Sequence, residues 1–518
     1  MNTRTLAAIS LVLILCLTSL GFGVTGAVPN YGGVLKIGIT QEILNLDPHV
    51  ATAFSSFRVL ENIYEGLVRY DQNMKLQPAL AESWTVSPSG TEYVFKLRSN
   101  VKFHDGNQLT AEDVKYSLER ILNPETKSPQ ASRLAEIKEI TVVNPLEIKI
   151  GLKEPYAPFL AALARAGVAI VPRDFETKVK DPKTDTDGTG PFKLVDFGSD
   201  YAKLVKNVSY WGKDAQGNQL PYLDGLLFKV IPDVTTLRAA IKSGEIDLIF
   251  GFGVDVTTVD TLKNTSGLRV VSVPELAYSL LGIQNSRAPF NDVRVRQAVS
   301  LAIDRQQIVD VVYSGYAQVC GPIPPSLTQW NSLPSSSLRN YSRDVNKAKE
   351  LLAKAGYPKG ISFKIMPIPT VPDALKIAQV VQEQLKAANI RVEIESVDFA
   401  TFLNRWRGHD FDAFVSVNGG SVDPDIHLYR HLFSEGATNV FEYSDPVSDR
   451  LLEAGRIATD HATRCDIYTA LQRRVVERVP FIFFACAKLF AVERDTIQNF
   501  VLLPTRSITS LRETYISE

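Results

Sequence analysis

Residues 361–418 constrain the fold more than any other stretch, because strand and helix patterns alternate there twice. An apolar run at 361–367 (ISFKIMP) is followed over 373–389 by apolar residues at helical spacing: Leu375, Ala378, Val381 and Leu385. A strand at 390–397, a short helix at 399–408 and a last strand, FDAFVSV, complete the run. Strands separated by helices form a parallel sheet with right-handed crossovers, so all three strands end on one edge. Open α/β sheets bind their ligands at that edge. The loops there are PIPTVP, VD and NGGSVDPD. The third, small and acidic, is the expected rim of a ligand crevice.

A chain of 518 residues holds two or three domains with ample core. The net charge of −1 gives no electrostatic case for nucleic acid or an anionic surface. The N-terminal residues read as a leader: Arg4, then an apolar 6–20, then Thr25-Gly26-Ala27 as a small-residue cleavage site. Cleavage after Ala27 and export to the periplasm are expected. The apolar run is too short and too interrupted for a membrane anchor. Leu15 before Cys16 does not suit a lipoprotein signal. Later apolar stretches are broken by Arg165 and Lys488. Removal of Cys16 leaves Cys320, Cys465 and Cys486, an odd number in an oxidising compartment. Cys465 and Cys486 could pair, but buried free thiols are the expectation.

Along the chain, strand 34–40 opens into the loop NLDPHVATAFSS and a helix at 56–66. Thr110 with Asp113 three residues on predicts a capped helix start, and Asp304 with Gln307 predicts another. Asp185, Asp187, Thr189, Gly190 and Asp196 occupy calcium-loop positions. Yet Pro191 and an alternating strand follow where a helix is needed, so a turn returning the chain to the first sheet is the better account. No nucleophile elbow, metalloprotease, phosphate-loop or dinucleotide motif is present, and no cofactor is expected. Asp423, Asp425, His427 and His431 could hold nickel or zinc. The alternative is a capped first helical turn, and no metal site is assigned. Trp84, Trp211, Trp330 and Trp406 could line a pocket, but most are expected in core or interdomain packing.

Several runs have a familiar order and spacing. These include NLDPHVATAFSSFRVLENIYEGLVRYD, PALAESWTVSPSGTEYVFKLRSNVKFHDG with LTAEDVKYSLER, GTGPF, YWGKD with LPYLDGLLFKVIPD, and RAPFNDVRVRQAVSLAIDR. Later come AKELLAKAGYP, QEQLKAANIRVEIESVDFATF and DPD. Through them the chain resembles the extracytoplasmic solute-binding proteins of ABC transporters, family 5, the oligopeptide, dipeptide and nickel type. The resemblance covers nearly the whole chain after the leader. It implies an α/β, periplasmic-binding-protein-like (type II, cluster C) two-lobed clamp with an extra inserted domain. The implied division is a signal peptide at 1–27, a first lobe from 31–73, 188–284 and 489–518, an inserted domain at 74–187, and a second lobe at 285–488.

The implied function is capture of an oligopeptide- or dipeptide-like polar solute by a monomer that is not an enzyme, for delivery to ABC permease subunits. Sugar and nickel-chelate ligands are alternatives, a secreted hydrolase a remote one, and a chaperone or docking role without a permease another. Carried over residue by residue, the ligand contacts fall on Thr52, Ala53 and Phe54, and on Asn418, Gly419, Gly420, Ser421 and Asp423. The family's amine-binding aspartate aligns with Gly420 and its aromatic with Val417, or with Asn418 after one gap. Both expected side chains are missing, which favours an amine-free ligand unless Asp423 substitutes.

Overall fold

The 361–418 run folds as its periodicity dictates. In the computed structural model, which describes residues 29–517 except 180, 182–184 and 199, Ile361–Pro367 lies parallel to both Ile390–Ile394 and Ala413–Asn418. The expected leader at 1–27, with Cys16, lies outside the described residues. The helix Pro372–Lys386 buries Ala374, Ile377, Ala378, Val381 and Leu385. Leu375, expected on that stripe, is 43% exposed, because the buried face begins one residue earlier.

Five strands form this sheet, in the order Ile390–Ile394, Ile361–Pro367, Ala413–Asn418, Tyr278–Ile283, Phe481–Phe483. The last two run antiparallel to each other. Tyr278–Ile283, placed in the first lobe by the expected division at 284/285, therefore belongs to the second sheet. Its alternate faces are all buried, which only a central strand allows.

The other large sheet orders Leu268–Pro274, Ala485–Arg494, Leu248–Phe250, Val34–Ile39, Gly225–Val230, Tyr201–Lys206 and Phe192–Phe197. Val34–Ile39 is parallel to its two neighbours. A separate antiparallel sheet, Ala81–Val86, Glu92–Leu97, Glu147–Leu152 and Ile137–Asn144, has its own core with the helix Ala111–Leu122. That helix begins as expected, with the Asp113 carboxylate accepting from the Thr110 N–H at 2.8 Å. At the second expected box, Asp304 accepts from the Gln307 N–H at 3.1 Å, but its own N–H is met by Gln384.

The 185–197 turn does return the chain to the first sheet. Cβ atoms at Gly188 and Gly190 would sit 2.1 and 2.7 Å from backbone oxygens at the end of the helix Phe54–Ile63, so only glycine fits this approach. No group that could hold a metal ion occurs among the described residues.

Two adjacent strand crossings join the large sheets. Leu268–Pro274 leads into Tyr278–Ile283, and Phe481–Phe483 leads back into Ala485–Arg494. Glu275 N donates to Ala487 O at 2.9 Å, and Phe484 N to Ser279 O at 2.8 Å. A disulfide joins Cys320 to Cys486 here, and among the described residues Cys465 is free and buried. The Cys465–Cys486 pairing considered from sequence, and the expectation of free thiols at Cys320 and Cys486, are thus corrected. Ala317–Val319 runs antiparallel to the 485–487 end of the crossing strand and brings Cys320 within 5.5 Å of Cys486, Cα to Cα. No helix among the described residues is long and apolar enough to cross a membrane.

Candidate functional site

Tyr278 pairs with Asn418, and Phe483 with Leu280, so both crossings leave the second sheet at the edge where its parallel strands end. On the first sheet the crossings meet the edge following Ile39 and Phe250. The two ligand-binding edges therefore face one another, and between them lies a cleft of about 550 Å³, within the range of small-solute sites. Its walls are the helix Phe54–Ile63 and its lead-in, residues 129–133 and 161–169, the 275–277 crossing, the loop 419–422, and residues 503–512.

Of the three strand-end loops expected to form the crevice, only 419–422 lines this cleft. The strand order explains it. Ala413–Asn418 is next to the crossing strand Tyr278–Ile283, whereas the other two parallel strands lie farther out.

Thr52, Phe54, Gly419, Gly420 and Ser421 line the cleft, but Ala53, Asn418 and Asp423 do not. Ala53 is the N-cap residue of Phe54–Ile63. The Asn418 amide turns toward His431, 3.4 Å away. Asp423 is 3% exposed and pairs both oxygens with Arg464, at 2.7 and 2.8 Å, while capping Pro424–Leu432. It cannot substitute for a cleft aspartate.

Gly420 has a packing reason. A Cβ there would lie 2.0 Å from the Leu276 carbonyl oxygen, so the loop rests backbone-on-backbone against the interlobe crossing. Val422 O accepts from Trp330 Nε1 at 2.7 Å, and the Arg464 guanidinium lies 4.7 Å over the Trp330 ring. Loop 419–422 is thereby fixed by the crossing, by Trp330 and by the Asp423–Arg464 pair.

The metal constellation does not assemble. Asp425 pairs with Arg456, His427 Nε2 faces Pro322 O, and His431 Nε2 accepts from Arg430 Nε at 3.1 Å. Burial holds both imidazoles neutral, at about 4 for His427 and about 3 for His431.

Sequence reasoning missed the charged lining. Six arginines (58, 69, 133, 165, 506 and 512) face three glutamates (61, 65 and 275). Every glutamate is engaged internally. Glu61 accepts from Ile508 N at 2.7 Å and Ser507 Oγ at 2.8 Å, and pairs with Arg58 at 3.1 Å. Glu65 accepts from Tyr210 and Trp211, each at 2.8 Å, and from Thr189 at 3.1 Å. Glu275 accepts from Arg506 at 2.6 Å. These residues come from five separate chain segments, and no local spacing signals their convergence.

Residues 75–439 match the model of the bacterial extracellular solute-binding proteins, family 5. The chain belongs to this family. It is 32% identical over 481 residues to the glutathione-binding protein GsiB of Salmonella typhi, covering 90% of this chain and 92% of that one. Among solved structures, HbpA2 of Haemophilus parasuis superposes with a TM-score of 0.86 at 26% identity, covering 94% of this chain and all of that one. The periplasmic binding protein DppA of Helicobacter pylori, in complex with the peptide STSA, gives 0.71 at 27% identity, over 94% and 99%. The family's two-lobed α/β clamp is the fold described above, and its members are the solute-binding components of ABC importers. Among the described residues the cleft walls offer guanidinium groups, engaged carboxylates, hydroxyls, backbone and aromatic surface.

Proposed function

We propose that this protein captures a short peptide or peptide-like solute outside the cytoplasm and hands it to the permease of an ABC importer, with no catalytic step. The observation carrying this reading is the cleft of about 550 Å³ between two sheet edges that two adjacent strand crossings connect. Such crossings let two bodies rotate about a short shared axis, the hinge closure by which clamps enclose ligand. We take the hinge to be residues 274–278 and 484–488, with the first lobe in 31–73, 188–274 and 488–518, the inserted domain in 74–187, and the second lobe between the crossings. Export through a cleaved leader to the periplasm and a monomeric state belong to the same reading. The names of the relatives support it, since one binds glutathione and another was captured with a tetrapeptide.

Native mass spectrometry of the purified protein, followed by calorimetric titration with tri- and tetrapeptides, tests the reading. Co-purified or titratable peptide is the expected result. Saturable binding of a neutral sugar with no peptide binding would overturn it.

A further inference from the structure

The strand crossings are not the whole connection between the two bodies, because the inserted domain also touches the second lobe beside the cleft. One contact is the tip of a hairpin with strands Val68–Tyr70 and Leu76–Pro78. Residues 68–70 line the cleft. Beyond them Asp71 builds a fixed turn: its Oδ1 accepts from the N–H groups of Asn73 and Lys75, both at 2.9 Å, and its N–H donates to Lys75 O at 3.0 Å. Met74 stands at the tip in a left-handed conformation, φ 59°, which is uncommon for a long side chain. Its side chain is 1% exposed and belongs to the apolar cluster of the second lobe that holds Trp330 and Val422. Tyr70 packs against the same cluster. Gln329 Nε2 donates to Met74 O at 2.9 Å.

The other contact lies where residues 155–157 lead into the helix Phe159–Leu163 and the cleft wall at 161–169. Ala157 N donates to Arg456 O at 2.8 Å. A Cβ at Gly90 would lie 2.9 Å from Thr459 Cγ2, so the surfaces meet closely there. Both contacts end on the supports of one loop. Trp330, next to Gln329, holds Val422 O, and Arg456 holds Asp425 just beyond it. The second-lobe loop 419–422 is thus pressed toward the inserted domain at both of its anchors.

A solute that lies wholly inside the cleft leaves these contacts in place. A chain that runs on between the inserted domain and the second lobe must part them, which exposes Met74 and strands the Met74 carbonyl and the Ala157 N–H. The space inside is small. An extended chain fills roughly 4.7 Å by 10 Å in cross-section, so a cleft of about 550 Å³ holds about three to five residues.

We propose that the Met74 hairpin tip and the Ala157–Arg456 bond form a latch that sets an upper length on the solute, with short peptides bound latch shut and longer ones only latch open. This rests on the cleft being a peptide site, as proposed above. Since a solute draws on the latch only when it leaves it shut, weakening the latch weakens short solutes and spares long ones.

Calorimetric titration of the purified protein with alanine–serine peptides of two, four, six and eight residues tests it. Affinity is expected to be highest at four residues and to fall about tenfold or more by eight. Met74→Ala is expected to weaken the tetrapeptide about tenfold and Gln329→Leu about fivefold, with the octapeptide changed less than about twofold in either. An octapeptide bound as tightly as the tetrapeptide would overturn the length limit and leave the peptide reading standing. Binding at no length would overturn the peptide reading and the length limit with it. Unchanged tetrapeptide affinity in both variants, with native melting curves, would overturn the latch. Should the variants fail to fold, the length ranking on the unaltered protein still decides.

Discussion

Asp423 stands closest to the ligand loop in sequence and yet serves the fold. Its carboxylate and the Arg464 guanidinium are 5% and 6% exposed, and each is the other's counter-ion. Removing one member of a buried pair leaves an unpaired charge and costs about 3–5 kcal/mol. Asp423→Ala is therefore expected to lower stability by that order in chemical denaturation, while ligand affinity measured well below the transition is retained. A native denaturation midpoint combined with lost binding would return Asp423 to the site. The neighbouring glycines separate two effects in the same way. Gly419 has nothing within 4 Å of a built Cβ, whereas Gly420 abuts the Leu276 carbonyl. Gly420→Ala is expected to lose about 1–3 kcal/mol through forced backbone movement, and Gly419→Ala less than about 0.5 kcal/mol. Equal midpoints for the two would show that the loop and the crossing are not in contact. The sequence marks Gly420 as the missing aspartate, but only the fold explains why no side chain stands there.

Elements that answer to a local period were legible, and those that answer to long-range pairing were not. Helical spacing and apolar runs placed the three parallel strands at 361–367, 390–397 and 411–417, close to the observed Ile361–Pro367, Ile390–Ile394 and Ala413–Asn418, because each pattern repeats within a few residues. The Thr110–Asp113 cap was readable for the same reason. The all-buried Tyr278–Ile283 shows no alternation to say which sheet it joins, so its transfer across the expected boundary is visible only in the ladder. The same holds for the disulfide, since its partners are separated by 166 residues. It ties the Ala317–Val319 strand end to the crossing strand Ala485–Arg494, closing a long loop that an unfolded chain would otherwise leave free. Cys320→Ser with Cys486→Ser is expected to lower stability by about 2–5 kcal/mol, read as a fall in the reductant-sensitive part of the denaturation midpoint. A midpoint that does not respond to reductant in the unaltered protein would show that the bridge contributes no stability.

For the whole molecule, the buried histidines set an acid limit that no single motif announces. His49 donates from Nε2 to Ala169 O at 2.9 Å and presents Nδ1 to Arg120 at 3.0 Å, which leaves no place for a second proton. Burial draws it from 6.5 to about 4, and burial does the same to His104 and His427, with His431 at about 3. A group whose folded pKa is depressed binds its proton first in the unfolded chain, so stability is lost as pH falls below 6.5 and levels off only near the folded values. Asp187 works in the opposite sense. Burial and the nearby Asp105 raise it to about 6, so protonation below pH 6 relieves some cost until about 3.8 is reached. Glu61, Asp425 and Glu493 are raised by burial in the same sense, each beside an arginine that draws it back down, and the four histidines, all held well below their ordinary value, outweigh these carboxyls, each proton being worth about 1.4 kcal/mol per pH unit. The affected groups reach both the inserted domain, through His104, and the second lobe, through His427 and His431. Scanning calorimetry is therefore expected to show a Tm lower by several degrees at pH 5 than at pH 7, with every resolved transition moving downward. His427→Gln in a separate preparation should reduce that difference, because a neutral amide has no proton to take up on unfolding. A Tm flat across this interval would mean that the histidines are already protonated in the folded chain, and the hydrogen-bonding assigned to His49 and His431 would have to be redrawn.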